Sequence, residues 1–491
     1  MELFTCRDFL RQMLSIQGVA VPQSKEICSS PIVRPVPHSL HAQKYASYAV
    51  PMPVEVISNI LGLASHSSHD PTSQSISLSH VCGRWRQITL SMPCLWTFIS
   101  LSLPLSKGQL TRMRACLIRS RHHPLDIHMD FRDPAWDWDE ASHVFGSKTM
   151  ESIMHLLVPQ ASRWRSIELI TDTWAPIFTF LSCTVAIDSA PLLQTIRLAR
   201  CNEYFVAQGQ VFLPTGLAVP VAWFCGGTGL SHLRHVSLSG VHVDWSRSGL
   251  TGLRELELRY HAQDVMPTLS EFQSILRANA ALKRLAILGW GPRMDHPLKH
   301  ESDNLHMIDL PQLEELEFGF VDVTYATDLL SLFVLPNLRA LYLEDLAFGI
   351  QLYEYWDCSR LFNRLVEMNA TERTPPRIPL SSLRELSLRN IHADDASVCG
   401  LFGSLCAMTS LCLDRVDATP LLAICSALDS CDRLQVLTLK DIDAAAAALV
   451  LSSRSFPPRL RIFLDIDEED QDVEEEEDAD CRDIGDEVAP F

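Results

Sequence analysis

The sequence predicts an α/β protein in which a small all-helical unit precedes a solenoid with a parallel β-sheet. Three observations support this: one stretch with apolar residues at helical spacing, ten copies of one strand pattern, and a strongly acidic C-terminal end. The chain has 491 residues, enough for two or three domains. We divide it into a partly ordered leader (1–50), a helical domain (51–103), a solenoid (104–464) and an acidic disordered tail (465–491).

The helical domain opens with Met52-Pro53-Val54-Glu55-Val56-Ile57, in which Pro53 suits a first helical turn. Apolar residues then recur at helical spacing on two faces: Val56, Ile57, Ile60 and Leu61 on one, and Leu78, Val81, Cys82, Trp85 and Ile88 on the other. A unit of about fifty residues buries little surface by itself. Its apolar faces therefore need a partner or a neighbouring domain to cover them.

The solenoid is predicted from a repeat of one apolar, two polar, one apolar, one polar and one apolar residue. Successive copies start 20 to 45 residues apart, at Trp164, Leu193, Leu233, Leu253, Leu282, Leu313, Leu338, Leu383, Met408 and Leu434. This spacing is typical of leucine-rich repeats. The end of each copy is expected to form a short strand whose alternate apolar side chains point inward. Because one repeat cannot bury its apolar face alone, neighbouring copies must stack into a parallel sheet.

Further elements are expected around these repeats. Alternating patterns predict strands over 98–103, 124–129 and 460–466, and helical spacing predicts helices over 110–120, 268–276 and 419–428. Long insertions interrupt the repeats at 208–228 and 349–377, and insertions in solenoids often lie on the binding face. The second contains Tyr353, Tyr355 and Trp356. These aromatic residues fit either a recognition loop or, as we favour, a loop packed on its own solenoid.

Charge and composition exclude several classes of function. The net charge is −19, and the acidic tail carries most of it, so the rest of the chain is only mildly acidic. This balance argues against nucleic acid as a partner. The fifteen cysteines show no Cys-x-x-Cys pair and no signal peptide is present, which favours free thiols in the cytoplasm and/or nucleus. The longest apolar run, 211–225, is too short for a membrane span, so we expect a buried, loop-rich connection there.

No pattern of catalytic residues is apparent. The sequence lacks a phosphate-binding P-loop and a Gly-x-Ser-x-Gly elbow. Histidine pairs occur at His66 and His69 and at His122 and His123, without partners at ligand spacing. The acidic segment 131–140 lacks the order of a calcium loop. We therefore expect no catalytic residue, cofactor or metal, and a protein that is not an enzyme, unless its structure contains a deep pocket of converging polar groups.

The helical domain resembles an F-box. The resemblance rests on Met52-Pro53-Val54-Glu55-Val56-Ile57, on Leu78-Ser79-His80-Val81-Cys82-Gly83-Arg84-Trp85-Arg86, and on the corner Pro93-Cys94-Leu95-Trp96. It covers about a tenth of the chain. Met52 replaces the usual Leu, Gly83 replaces a commoner basic residue, and the gap through residues 66–75 is longer than usual.

An F-box followed by leucine-rich repeats resembles the substrate receptor of an SCF-type cullin–RING ubiquitin ligase. The resemblance implies that the F-box binds a Skp-type adaptor, and through it a cullin–RING, while the repeats bind an unknown target protein. By position, the adaptor-binding residues would be Pro53, Ile57, Ile60, Leu61, Leu78, Val81, Cys82 and Trp85, with Leu95 and Trp96 closing the unit. The alternative is a ubiquitin-independent F-box/leucine-rich-repeat scaffold for protein–protein interaction.

Overall fold

The structure is a computed structural model, which describes residues 52–68, 70–140, 142–200, 207, 209–294, 307–347, 357–369, 376–416, 433–442, 448 and 460–465. The predicted leader, the acidic tail after Asp465 and the helix predicted over 419–428 lie outside the described residues. From Val54 onward the described chain belongs to one compact unit.

Within the described residues, three α-helices precede the first strand, and strands follow with or without an α-helix between them. The α-helices are α1 (Val54–His66), α2 (Pro71–Ser79), α3 (Gly83–Ser91), α4 (Lys107–Arg119), α5 (Ser147–Leu157), α6 (Trp174–Thr184), α7 (Leu269–Arg277), α8 (Val323–Leu330), α9 (Ser359–Asn369) and α10 (Asp395–Gly403). The strands are β1 (Phe98–Ser102), β2 (Leu125–Phe131), β3 (Trp164–Thr171), β4 (Thr195–Arg200), β5 (His235–Ser239), β6 (Glu255–Arg259), β7 (Arg284–Leu288), β8 (Ile308–Asp309), β9 (Glu315–Phe320), β10 (Phe333–Val334), β11 (Ala340–Asp345), β12 (Glu385–Arg389), β13 (Ser410–Asp414), β14 (Val436–Lys440) and β15 (Arg461–Asp465).

Thirteen strands form one sheet in the order β1-β2-β3-β4-β5-β6-β7-β9-β11-β12-β13-β14-β15, and each described pairing is parallel. The remaining two strands, β8 and β10, pair with each other. All ten repeat copies coincide with strands of the large sheet. The predicted α/β solenoid of irregular leucine-rich repeats is therefore confirmed.

The repeat pattern matches the strands because each strand buries every second side chain. In β6, Leu256 and Leu258 are about 1% exposed, whereas Glu257 between them is partly exposed. Leu256 is in register with Leu285 of β7, so inward-pointing leucines stack from one repeat to the next. One continuous core connects the helical start of the chain with the last described repeats.

A left-handed residue ends several of the repeat strands. Gly240, Tyr260, Asn390, Arg415 and Asp441 each follow a strand directly and have φ between 46° and 59°. Asn390 also donates a hydrogen bond from Nδ2 to the Asp345 carbonyl of the neighbouring strand, at 3.2 Å. Glycine and asparagine adopt this conformation at least cost, which explains their use at this turn.

The described part of the insertion at 208–228 is only partly buried. Phe212, Trp223 and Phe224 are at most 1% exposed, whereas Val211 and Val219 are 52% and 61% exposed, and short 3₁₀ turns replace regular helices. The connection is therefore rich in loops, as expected, but the expectation that it is buried holds only for its aromatic residues. The second insertion contains α9, while Tyr353, Tyr355 and Trp356 lie outside the described residues. Within the described part of the chain, no helix is both long and apolar enough to span a membrane.

Candidate functional site: an exposed apolar surface on the helical unit

The helical unit, residues 54–96, packs three short helices and a 3₁₀ turn (Pro93–Trp96) around a small core. Ile57 and Leu61 of α1 and Ile88 of α3 are at most 6% exposed. Trp96 is 1% exposed, and its indole Nε1 donates a hydrogen bond to the Thr89 carbonyl at 3.0 Å. Burying the ring while pairing its one polar atom satisfies both requirements of a core tryptophan.

Side-chain caps define where α2 and α3 begin. The Asp70 carboxylate accepts hydrogen bonds from the backbone amides of Thr72 and Ser73, at 3.1 and 3.0 Å. Pro71 occupies the first position of α2, where its missing N–H costs nothing. The Cys82 sulfur accepts from the Trp85 amide at 3.4 Å and caps α3. The long gap between the two signature halves therefore contains an ordered helix with its own start signal.

The helical unit is joined directly to the sheet. The Thr72 hydroxyl of α2 donates a hydrogen bond to the Phe98 carbonyl at the start of β1. Arg112 of α4 donates from Nη1 to the Ser73 hydroxyl at 3.3 Å. The Arg119 guanidinium lies 4.5 Å from the centre of the Trp96 ring. A protein bound to these helices would thus be held in a fixed relation to the first strand.

Exposed apolar side chains are concentrated on this unit. Six of the seventeen exposed large apolar residues in the described chain fall within residues 54–90: Val54, Val56, Ile60, Leu63, Val81 and Leu90. Val56, Ile60 and Leu63 are spaced by four and three residues, which places them along one side of α1. We call the six residues the apolar surface; concentrations of this kind mark interaction sites.

The ten predicted adaptor-binding residues divide into two groups. Pro53, Ile60, Val81 and Cys82 are exposed, and Leu78 and Trp85 are partly buried. The other four, Ile57, Leu61, Leu95 and Trp96, are at most 4% exposed. Those four pack the unit from inside, so they can support a docking surface without touching a partner.

Four residues of the apolar surface were not among the predicted ones. Val54, Val56, Leu63 and Leu90 are 46%, 43%, 75% and 40% exposed. The four- and three-residue spacing of Val56 and Leu63 with Ile60 was readable in the sequence. The family pattern instead indicates Ile57 and Leu61, which form the buried side of the same helix.

The outer face of the sheet is charged, and its central charges pair with one another. Arg284 of β7 contacts Glu257, Glu315 and Glu317, with Nε 2.7 Å from Glu315 and Nη2 2.6 Å from Glu317. Arg259 also reaches Glu257 and Glu317, at 3.1 and 2.9 Å. Burial alone would raise the pKa of Glu257, but Arg259 and Arg284 lower it to about 2. This cluster is a closed network of ion pairs.

A cavity of about 450 Å³ lies between α8 and α9 and is lined largely by polar residues. Arg364 donates from Nε to the Ser331 hydroxyl at 2.9 Å, and Arg377 donates from Nη1 to the Ser331 carbonyl at 3.0 Å. The Ser331 hydroxyl itself donates to the Thr327 carbonyl at 2.7 Å. The Ser331 hydroxyl is therefore already engaged by a carbonyl and a guanidinium.

Five of the nine described thiols are poorly suited to act as nucleophiles. Burial raises the pKa of Cys116 to about 11, and it also raises the pKa of Cys183, Cys225, Cys358 and Cys412. A raised pKa disfavours the reactive thiolate. Across the described residues, no group of three or more His, Cys, Asp or Glu side chains is arranged to hold a metal ion.

Comparison with known proteins gives structural similarity alone. No protein-family model and no curated protein matches the chain. Among solved structures, the complex of Rad7 and Elc1 from yeast is similar at 13% identity and a TM-score of 0.38, over 94% of this chain and 98% of that one. An internalin (inlF) from Listeria monocytogenes is similar at 13% identity and a TM-score of 0.24, over 65% of this chain and 94% of that one. At these values the similarity assigns neither a partner nor an activity to this chain.

Proposed function

We propose that this chain is the substrate-recognition subunit of an SCF-type cullin–RING ubiquitin ligase. In this proposal the helical unit is an F-box that binds a Skp-type adaptor, and the solenoid binds a target protein. The observation that carries the proposal is the apolar surface on the helical unit. It exposes Val56, Ile60 and Leu63 along one side of α1, and further apolar residues at Val81 and Leu90, in the unit whose sequence resembles an F-box.

The attachment of the helical unit to the sheet supports the same role. A receptor of this kind performs no chemistry; it raises the local concentration of a target beside the ubiquitin-transfer machinery. That effect requires a stiff connection between the two binding regions. The Thr72–Phe98 hydrogen bond and the continuous core supply one here. We accordingly propose a non-enzymatic protein, with its adaptor, cullin and target in the cytoplasm and/or nucleus.

The docking proposal is tested by charging the apolar surface without disturbing the core. Ile60 and Val81 are 42% and 61% exposed, so Ile60→Asp together with Val81→Asp should leave folding intact. Val185→Asp with Val219→Asp is the matched control, because those valines are 42% and 61% exposed on the solenoid. We expect the first variant to lose at least tenfold in affinity for a purified Skp-type adaptor, and the control to bind like the parent.

The test is read by titration calorimetry, with thermal unfolding as the check on folding. Equal adaptor affinity in all three proteins would contradict the docking proposal. Co-purification then separates the ligase from the scaffold alternative. Recovery of adaptor and cullin together supports a ligase subunit, whereas adaptor without cullin supports a ubiquitin-independent scaffold.

A further inference from the structure

The chain carries an excess of positive charge near the helical unit. Residues 71–125 contain no Asp or Glu, although the whole protein has a net charge of −19. The same stretch contains seven basic residues: Arg84, Arg86, Lys107, Arg112, Arg114, Arg119 and Arg121. In the structure they lie on α3, on α4 and in the turn that follows α4. This is a local reversal of the charge of the molecule.

Helix α4 presents its charge on the side that faces solvent. Lys107, Thr111, Arg114, Ile118 and Arg121 are spaced alternately by four and three residues, and all are exposed. The same helix buries Met113 and Cys116 on its other side. Ile118 is 77% exposed in the middle of this stripe. The exposed face of α4 therefore combines cationic side chains with one large apolar side chain.

Several cations of this stretch contact neutral groups. Arg86 donates to the Ser79 carbonyl, Arg112 donates to the Ser73 hydroxyl, and Arg119 lies over Trp96. Among the described residues, no carboxylate forms an ion pair with these three or with Lys107, Arg114 or Arg121. Because Lys107, Arg114 and Arg121 are also exposed, they can reach an anion on another molecule.

Helices α3 and α4 meet at Trp96. The Trp96 indole donates to the Thr89 carbonyl near the end of α3, and its ring lies under the Arg119 guanidinium at the end of α4. Leu90 and Ile118, which are both exposed, follow Thr89 and precede Arg119 in the chain. The ends of α3 and α4 are therefore held together by Trp96, and each carries one exposed apolar side chain.

We propose that the exposed cations Arg86, Lys107, Arg114 and Arg121, here called the basic surface, bind an acidic region of the adaptor protein that docks on the apolar surface. This inference rests on the proposed function, and it requires that the adaptor present acidic side chains to the basic surface. Protein interfaces combine an apolar centre with a polar rim, and the basic surface supplies such a rim. A protein is favoured over nucleic acid because Val81, Leu90 and Ile118 lie among the cations, and a phosphate backbone offers them no apolar counterpart.

Opposite charges across an interface mainly increase the rate of association, and salt screens this effect. The test therefore measures association of a purified Skp-type adaptor with the full-length protein by stopped-flow fluorescence, from low to high salt. The variant is Arg114→Gln with Arg121→Gln. The matched control is Arg254→Gln with Arg384→Gln, which removes the same charge from exposed positions on the solenoid. We expect the variant to associate about three- to tenfold more slowly at low salt and the control to match the parent, with the difference disappearing at high salt.

Each outcome decides a specific point. If the adaptor binds all three proteins at the same salt-dependent rate, the basic surface is not part of the interface, while the docking proposal stands. If the variant loses binding to phosphatidylserine vesicles or to a DNA duplex but not to the adaptor, the surface serves another class of partner and the inference is overturned. If the adaptor fails to bind even the parent protein, the proposed function fails and this inference falls with it.

Discussion

His261 is an imidazole with no access to water. It is 0% exposed, and its ring centre lies 6.0 Å from that of Trp245. Burial, followed by the nearby His242, lowers the pKa of His261 to about 3. In the unfolded chain a histidine titrates near 6.5. As the pH falls through 6.5, the unfolded state binds the proton first, so folding stability decreases from about pH 6.5 downward and is unaffected above it.

Replacing this histidine should reduce the loss of folding stability at acid pH. One buried histidine changes the free energy of unfolding by about 1.4 kcal/mol per pH unit below its unfolded pKa. Between pH 7 and pH 5, the parent should therefore lose about 2 kcal/mol more than His261→Phe. Urea unfolding at the two pH values measures this difference. His232→Gln, at an exposed position, should behave like the parent; parallel losses in parent and His261→Phe would refute the assignment.

The sequence predicted which residues belong to the helical unit, but not which of them face solvent. The family pattern correctly places Ile57, Ile60 and Leu61 on one helix of the helical unit. It does not distinguish Ile60, which is 42% exposed, from Leu61, which is 0% exposed. The difference arises from packing against α2 and α3, and a single-helix pattern contains no information about the position of those neighbours.

At the scale of single elements, α7 begins at a complete capping box. The Thr268 hydroxyl accepts a hydrogen bond from the Glu271 amide at 3.3 Å. The Glu271 carboxylate in turn accepts from the Thr268 amide and hydroxyl, both at 2.9 Å. These bonds satisfy backbone donors that a helix start otherwise leaves unpaired.

Removing this cap should destabilise the repeat measurably. We expect Thr268→Ala to reduce the free energy of unfolding by about 1 to 2 kcal/mol, because the Glu271 amide loses its acceptor. Ser274→Ala on the same helix is the control, since its hydroxyl bonds only to the Ser270 carbonyl one turn earlier at an exposed site. Chemical denaturation compares the two. A Thr268→Ala protein as stable as the control would show that the cap contributes nothing.

Elements with a strong periodic signal were predictable, and short ones were not. The ten repeat strands, the predicted strands at β1, β2 and β15, and the helices α4 and α7 match the structure to within a few residues. The strands β8 and β10 contain two residues each, too few to show alternation. Helix α5 was not predicted, although Met150, Ile153, Met154 and Leu157 are buried at helical spacing.

At the scale of the whole molecule, the helical unit covers one end of the sheet. Strand β1 pairs with β2 on one side, and α2 lies against β1 through the Thr72–Phe98 hydrogen bond. Sheet edges that lose their cover pair with other chains. We expect a fragment of residues 98–491 to associate into oligomers, and a fragment of residues 52–491 to match the full-length protein. Light scattering after size-exclusion chromatography measures this; two monomeric fragments would contradict the capping role.

The organisation of the molecule was only partly readable from the sequence. Stacking of the repeats followed from their need to bury one apolar face. The continuity between the helical unit and the sheet did not follow, because it depends on contacts such as Thr72 with Phe98 and Arg119 with Trp96. Such contacts join residues 20 or more positions apart, and no local pattern reports them.

The regular spacing of the parallel strands also defines a distance scale along the solenoid. Neighbouring strands lie about 4.8 Å apart, so the twelve steps from β1 to β15 span about 58 Å of sheet. Under the proposed function, a target bound at one strand would be presented at a fixed distance from the helical unit, and moving its contact by one repeat would move it by about one strand spacing. The position of a binding residue along the solenoid would then determine the distance between the target and the adaptor.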